Sequence, residues 1–143
     1  MKMKDQDFLD VPVLFIIYDR ADTALKVFNS IRRVKPKRLF IVSDGPAKRY
    51  ENEYSNVINL RNEIIKLIDW DCEINTFFGE KNLGPRLWIA ESINWFFNNV
   101  EEGIILEHDC LPDDSFFYFC KELLNKYRYT TQIMHIRCKF SFW

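Results

Sequence analysis

Side chains able to bind a metal ion are concentrated in one short segment, "GIILEHDCLPDDSFF", at residues 103–117. They follow an apolar run and are Glu107, His108, Asp109, Asp113 and Asp114. Carboxylate oxygens bind Mg²⁺ or Mn²⁺, and such an ion commonly joins a protein to a diphosphate. The same residues could instead be ordinary loop and helix-cap residues. The predicted strands and helices around the segment are needed to distinguish these two interpretations.

Short apolar runs alternate with amphipathic segments along the chain. The apolar runs, typical of strands buried on both faces, are residues 11–19, 38–44, 72–78 and 103–109. The segments with helical spacing of apolar residues are 20–34, 56–70, 86–100 and 113–127, the last capped by Asp113 or Asp114. Residues 132–136 are predicted to add a fifth strand.

This alternation predicts an α/β fold, a Rossmann-like and mostly parallel sheet with helices on both faces. We expect a single domain over residues 1–143. Residues 1–10 are predicted to form an N-terminal extension, and residues 137–143 an atypical aromatic tail.

Polar side chains follow the predicted strands at the edge where open parallel sheets bind ligands. Asp19 and Arg20 follow the first strand, and Asp44 follows the second. Arg86 begins the helix after the third strand, and the acidic segment follows the fourth. Arginine forks suit phosphate oxygens, and a metal ion would neutralise the charge of a diphosphate leaving group.

Composition and missing motifs exclude several other classes. A formal net charge of -1 argues against a nucleic-acid partner. No apolar run approaches the roughly 20 residues that span a bilayer, and the N-terminus is no signal peptide. The first strand is not followed by Gly-x-Gly-x-x-Gly, and Walker and Gly-x-Ser-x-Gly motifs are missing. The four cysteines form no Cys-x-x-Cys pair, as expected for reduced thiols in the cytoplasm.

Four blocks of the sequence carry a family resemblance: "VLFIIYDR", "FIVSDGP", "KNLG" and "WFFNNVEEGIILEHDCLPDDSFFYFCKELLNKY". In this order they resemble bacterial nucleotide-diphospho-sugar transferases of the glycosyltransferase A fold, in particular the hemolysin-activation-like set. The resemblance implies a nucleoside-diphosphate sugar as ligand, with a UDP-sugar favoured, and Mn²⁺ or Mg²⁺ as cofactor.

The resemblance also implies roles for single residues. Glu107 and Asp109 match the first and last acids of the family's Glu-Asp-Asp motif, so Asp109 is the candidate metal ligand and Glu107 supports it. Asp44 would contact the ribose or base, and Asp19 and Arg20 would lie near the base and the diphosphate. Arg86 and His108 complete the candidate nucleotide-sugar site.

The sequence departs from the family pattern at two places. His108 stands where the family has its middle acid, which predicts a weaker or altered metal affinity, because a neutral imidazole supplies no charge. The family continues after "IMHI" with a half that carries the acceptor site and the catalytic base, whereas this chain reads "RCKFSFW". We therefore expect a chain truncated to its nucleotide-binding half, with an aromatic C-terminus that promotes homo-oligomers.

Three functions remain open at this point. The first is a glycosyltransferase that moves a sugar from a nucleoside diphosphate to an acceptor. The second is a non-catalytic or truncated nucleotide-sugar-binding module, so enzyme activity itself is left undecided. The third is a receiver-like or flavodoxin-like signalling domain, which also carries acids at strand ends. The expected location is the cytoplasm, or the periphery of a membrane.

Overall fold

A computed structural model describes residues 8–137. Strands and helices alternate strictly along this part of the chain, as predicted. The strands are β1 (Val13–Ile17), β2 (Arg38–Ser43), β3 (Glu73–Phe78) and β4 (Ile104–Glu107). The helices are α1 (Ala21–Val34), α2 (Glu53–Lys66), α3 (Pro85–Phe97) and α4 (Asp114–Tyr127).

The four strands form one parallel sheet in the order β3-β2-β1-β4. All of β1 is buried, as is β2 apart from its first residue, which explains why both sequences are almost wholly apolar. The order matches the first four strands of the doubly wound arrangement, 3-2-1-4. The predicted Rossmann-like α/β class is therefore confirmed.

The strand order also tests the signalling-domain alternative. A flavodoxin-like sheet has the order 2-1-3-4-5, in which the first strand lies between the second and third. Here β1 lies between β2 and β4, and β3 is an edge strand. This part of the chain is therefore not flavodoxin-like.

Helices cover both faces of the sheet, because alternate strand residues point to opposite sides. Val13, Phe15 and Ile17 pack in one apolar cluster with buried residues of α1, α2 and α4. Leu14 and Ile16 pack in a second cluster that α3 covers.

Local signals in the sequence set the helix ends. Asp113 caps α4, since its Oδ1 accepts a 2.9 Å hydrogen bond from the Ser115 N–H, so the predicted cap is confirmed. Helix α3 has Pro85 in its first turn, after Gly84 at φ 81°. Helix α1 ends at Lys35, which has left-handed geometry.

The predicted fifth strand is wrong. Residues 132–136 form no strand and are exposed, with Met134 92% exposed, so they have no buried face that would favour pairing with the sheet. Part of the predicted N-terminal extension packs on the domain, because Leu9 is buried and its N–H donates to the Val34 carbonyl at 3.0 Å.

The remaining predictions for the termini concern residues 1–7 and 138–143, which lie outside the described residues; the oligomer through the aromatic tail is among them. Within residues 8–137, no helix is both long and apolar enough to cross a membrane.

Candidate functional site

The carboxyl ends of β1 and β4 are neighbours, which brings two groups of predicted site residues to the same edge of the sheet. Glu107 is the last residue of β4 and pairs in register with Ile16 of β1. Asp19 and Arg20 lie just after β1, separated from it by Tyr18. The direction of strand addition reverses between β1 and β4, and ligands of doubly wound sheets bind at such a switch point.

The segment after β4 is a short turn that exposes the two acids of the predicted motif. The Cys110 N–H donates to the Glu107 carbonyl at 3.1 Å and closes the turn. Glu107 and Asp109 are exposed, and His108 is partly buried. Burial, with Asp109 and Glu107 nearby, raises the pKa of the Cys110 thiol to about 11, so this thiol stays protonated beside the acids.

Asp44, at the end of β2, is buried and fully engaged within the chain. Its carboxylate accepts hydrogen bonds from three backbone N–H groups, those of Gly45 at 2.8 Å, Leu83 at 3.0 Å and Gly84 at 2.9 Å. The Asn82 side-chain amide donates to it at 3.1 Å. The carboxylate thus joins the end of β2 to the loop between β3 and α3, while its predicted contact with a nucleotide stays a prediction.

A second polar group fastens the loop between β2 and α2 to the end of β1. Glu53 is fully buried, and its carboxylate accepts hydrogen bonds from the Tyr18 hydroxyl at 2.7 Å and from the Arg49 side chain at 2.7 Å. Burial raises the pKa of Glu53, but the hydrogen bonds from Arg49 and Tyr18 outweigh burial and lower it to about 2. The Tyr18 oxygen also accepts from the Ala47 N–H at 3.1 Å.

Arg61 is a buried arginine that joins the ends of β2 and β3. Its Nη2 donates to the carbonyls of Asp44 at 2.7 Å and Gly79 at 3.1 Å, and its Nε donates to the Ser43 hydroxyl at 2.9 Å. The guanidinium also lies 4.9 Å from the centre of the Phe78 ring. Burial lowers the pKa of Arg61, and the nearby charge of Asp44 offsets this effect only in part.

Asp19 accepts a hydrogen bond from a residue of the loop after β2. The Tyr50 hydroxyl donates a hydrogen bond to Asp19 Oδ2, and this bond raises the pKa of Tyr50. The candidate site residue after β1 is therefore already oriented by a neighbouring loop.

Several charged side chains at this edge of the sheet form no ion pair within residues 8–137. Among the arginines of residues 8–137, six contact a carboxylate or a backbone carbonyl: Arg32, Arg33, Arg38, Arg49, Arg61 and Arg128. The other three arginines in this range, Arg20, Arg86 and Arg137, have no such partner, and Glu107 and Asp109 form no ion pair there. Exposed cations and exposed acids thus remain available at one end of the sheet.

The fit of a divalent cation can be tested on these side chains. Across residues 8–137, no three His, Cys, Asp or Glu side chains converge as a metal centre would require. The described residues alone therefore do not form a complete metal site. Mg²⁺ is often bound by only one or two carboxylates together with substrate phosphates. Glu107 and Asp109 fit that second arrangement, in which the ligand supplies the missing oxygens.

Sequence reasoning missed Tyr18, Glu53, Arg61 and Asn82. One of them had a visible signal: Arg61 lies on the same helical face as Val57 and Ile64, so a charged residue occupies an inward position of α2. Asn82 belongs to "KNLG", a block that carries part of the family resemblance, but the resemblance assigns this residue no role. Two shallow clefts lie elsewhere, beside Asn59 on α2 and at the start of β3, and contain none of the predicted site residues.

Comparisons with known proteins do not name a family. The chain matches no protein-family model, and searches of curated proteins and of solved structures find no similar protein.

Proposed function

We propose that this chain binds a nucleoside-diphosphate sugar at the edge between β1 and β4, as the donor-binding domain of a glycosyltransferase. In this proposal Asp109, supported by Glu107, binds a divalent cation together with the diphosphate. Arg20 and Arg86 bind phosphate oxygens, and Asp19 and His108 line the site. A UDP-sugar is the favoured donor, by resemblance of the sequence.

The observation that carries the proposal is the set of unpaired charges on the two sides of the switch point. Arg20 stands at the start of α1, and Arg86 in the first turn of α3. Helix N-termini favour anions, and arginine supplies a donor fork that matches phosphate. Glu107 and Asp109 would repel the same phosphates unless a cation lay between them. A metal-bound diphosphate satisfies both sets of charges.

The residues of the site would act on the leaving group. Arg20 and Arg86 would donate hydrogen bonds to diphosphate oxygens, whose charge grows as the bond to the sugar breaks. A divalent cation, when bound, would supply further neutralisation of that charge. The remaining part of the rate enhancement would come from holding donor and acceptor in line. No catalytic base is assigned.

The proposal is tested by thermal unfolding of the purified chain with UDP and Mn²⁺. At about 100 times the dissociation constant, the ligand should raise the unfolding temperature by about 8 °C. Mn²⁺ alone should produce little change, because the protein supplies too few ligands. The Asp109→Asn variant should lose the response, whereas the control Asp71→Asn, at the opposite end of the sheet, should keep it. No shift with UDP, CDP or GDP plus Mn²⁺ would rule the proposal out.

The second candidate function is a non-catalytic nucleotide-sugar-binding module. It shares the binding site, so binding does not separate it from the transferase. The two functions are separated by measuring the release of UDP from a UDP-sugar, with and without acceptor candidates. Turnover that is lost in Asp109→Asn supports the enzyme, and binding with no turnover supports the module.

A further inference from the structure

We propose that Asp44 is a positioning residue: its carboxylate fixes the loop of residues 79–84, and thereby the start of α3 with Arg86, without contacting the nucleotide. This inference deepens the proposed function and rests on it. It replaces the ligand contact that the sequence resemblance implies for Asp44.

The first argument is the acceptor capacity of the carboxylate. An ionised carboxyl group offers about four lone-pair positions. Four donors already occupy Asp44: the N–H groups of Gly45, Leu83 and Gly84, and the Asn82 amide. The residue is 4% exposed. A ribose hydroxyl or a base N–H would have to displace one donor and leave it unpaired in a buried place.

The second argument is that the donors to Asp44 belong to the loop that leads into α3. Leu83 and Gly84 directly precede Pro85, so the carboxylate fixes the backbone two residues before Arg86. The loop has little freedom to move toward β2. A Cβ atom at Gly45 would lie 2.4 Å from the Lys81 carbonyl carbon, so the two backbones are already in contact. Because this loop is held so closely, it fixes the position of Arg86 in the first turn of α3.

The third argument is the connection to the rest of the edge. The Asn82 amide that contacts Asp44 also donates to the Gly45 carbonyl at 2.7 Å and lies 3.4 Å from the Tyr18 oxygen. From the other side, Arg61 donates to the Asp44 carbonyl. Asp44 is therefore the residue through which the ends of β1, β2 and β3 are held in one arrangement.

The two roles of Asp44 predict different binding patterns for the Asp44→Asn variant. A positioning residue acts through Arg86 on the phosphates, so binding of UDP, 2′-deoxy-UDP, CDP and inorganic diphosphate, each with Mn²⁺, should weaken by the same factor, about tenfold. A direct contact would instead change the preference among bases or between ribose and deoxyribose, and leave inorganic diphosphate unaffected. Calorimetric titration of the four probes measures this.

Backbone amide exchange provides a readout that needs no ligand. In the wild-type chain the Leu83 and Gly84 amides should be protected, and Asp44→Asn should raise their exchange rates at least about tenfold, while amides of β1 stay protected. Asn82 is exposed, so the Asn82→Ala variant offers the same test with less risk to folding. It should speed exchange of the same two amides and weaken all four probes alike. Asp71→Asn is the matched control and should change neither property.

The outcomes separate the two proposals. Rapid exchange of Leu83 and Gly84 in a wild-type chain that binds UDP would overturn the positioning role alone. A base-dependent loss of affinity in Asp44→Asn, with these amides still protected, would do the same and restore the direct contact. Failure of the wild-type chain to bind any of the four probes would overturn the proposed function and the positioning role together.

Discussion

His108 is the residue at which the candidate site departs most from an all-acidic metal motif. It lies between two exposed acids in the turn after β4 and is itself partly buried. A neutral imidazole can bind a divalent ion but favours softer metals than Mg²⁺, and it adds no negative charge. In the proposed function, a hard cation would therefore be attracted less strongly than by three carboxylates.

The variant His108→Asp tests this difference. An added carboxylate should strengthen Mn²⁺ binding in the presence of UDP by about tenfold, since loss of even a supporting partner of a metal ligand costs 10- to 100-fold in affinity. Isothermal titration with Mn²⁺ at saturating UDP measures the change. His135→Asp, in the exposed segment after α4, is the matched control. An unchanged Mn²⁺ affinity in His108→Asp would contradict the prediction that the imidazole weakens metal binding.

Helix α2 departs from the usual amphipathic pattern, because one of its inward positions holds a charged residue, Arg61. Arg61 is 8% exposed and replaces an apolar contact with hydrogen bonds to the Asp44 and Gly79 carbonyls. These carbonyls lie after the ends of β2 and β3, so polar contacts join α2 to the carboxyl end of the sheet. Apolar packing through Leu60 and Ile64 joins it to the core.

We expect Arg61→Met to destabilise the chain by about 2 kcal/mol, because buried carbonyls lose their donor while the apolar stem of the side chain is kept. Urea unfolding followed by circular dichroism measures the loss. Arg32→Met removes an exposed ion pair with Asp69 and should change the free energy of unfolding much less. Equal losses in the two variants would mean that the contacts of Arg61 contribute no more than an exposed ion pair.

The elements themselves could be predicted from the sequence, because their signals are local. The apolar runs of β1 and β2 and the Asp113 cap of α4 depend only on neighbouring residues. Residues 132–136 show the limit of this reasoning. A short apolar run predicts a strand only if a partner strand and a buried face exist, and neither is a local property.

At the scale of the whole molecule, the sequence predicted a parallel sheet but not which strands are neighbours. Pairing of β4 with β1 is a long-range contact, and it is this pairing that brings Glu107 to the same edge as Asp19. Asp44 also accepts long-range hydrogen bonds, since its Leu83 donor lies 39 positions away. Residue types at strand ends could thus be identified from the sequence, whereas the loops that orient them could not.

The network that orients those loops also predicts how the whole molecule responds to acid. The pKa of Glu53 is about 2 in the folded chain, against an ordinary value of 4.5, because hydrogen bonds from Arg49 and Tyr18 outweigh its burial. A carboxyl group whose pKa is lowered by folding stabilises the native state above its unfolded pKa and loses this contribution as the pH falls toward the folded pKa. The contribution should therefore be complete above about pH 4.5 and should disappear between there and about pH 2.

The Glu53→Gln variant isolates the contribution of Glu53, because the wild type and the variant share all other carboxylates. The free energy of unfolding, measured in urea from pH 7 to pH 2.5, should differ most between wild type and variant at neutral pH, and the difference should shrink steadily below pH 4.5. Glu51→Gln, at an exposed neighbouring position, should follow the wild-type curve. A difference between wild type and Glu53→Gln that stays constant down to pH 2.5 would mean that the ionised form of Glu53 is not what holds the loop after β2 against the end of β1.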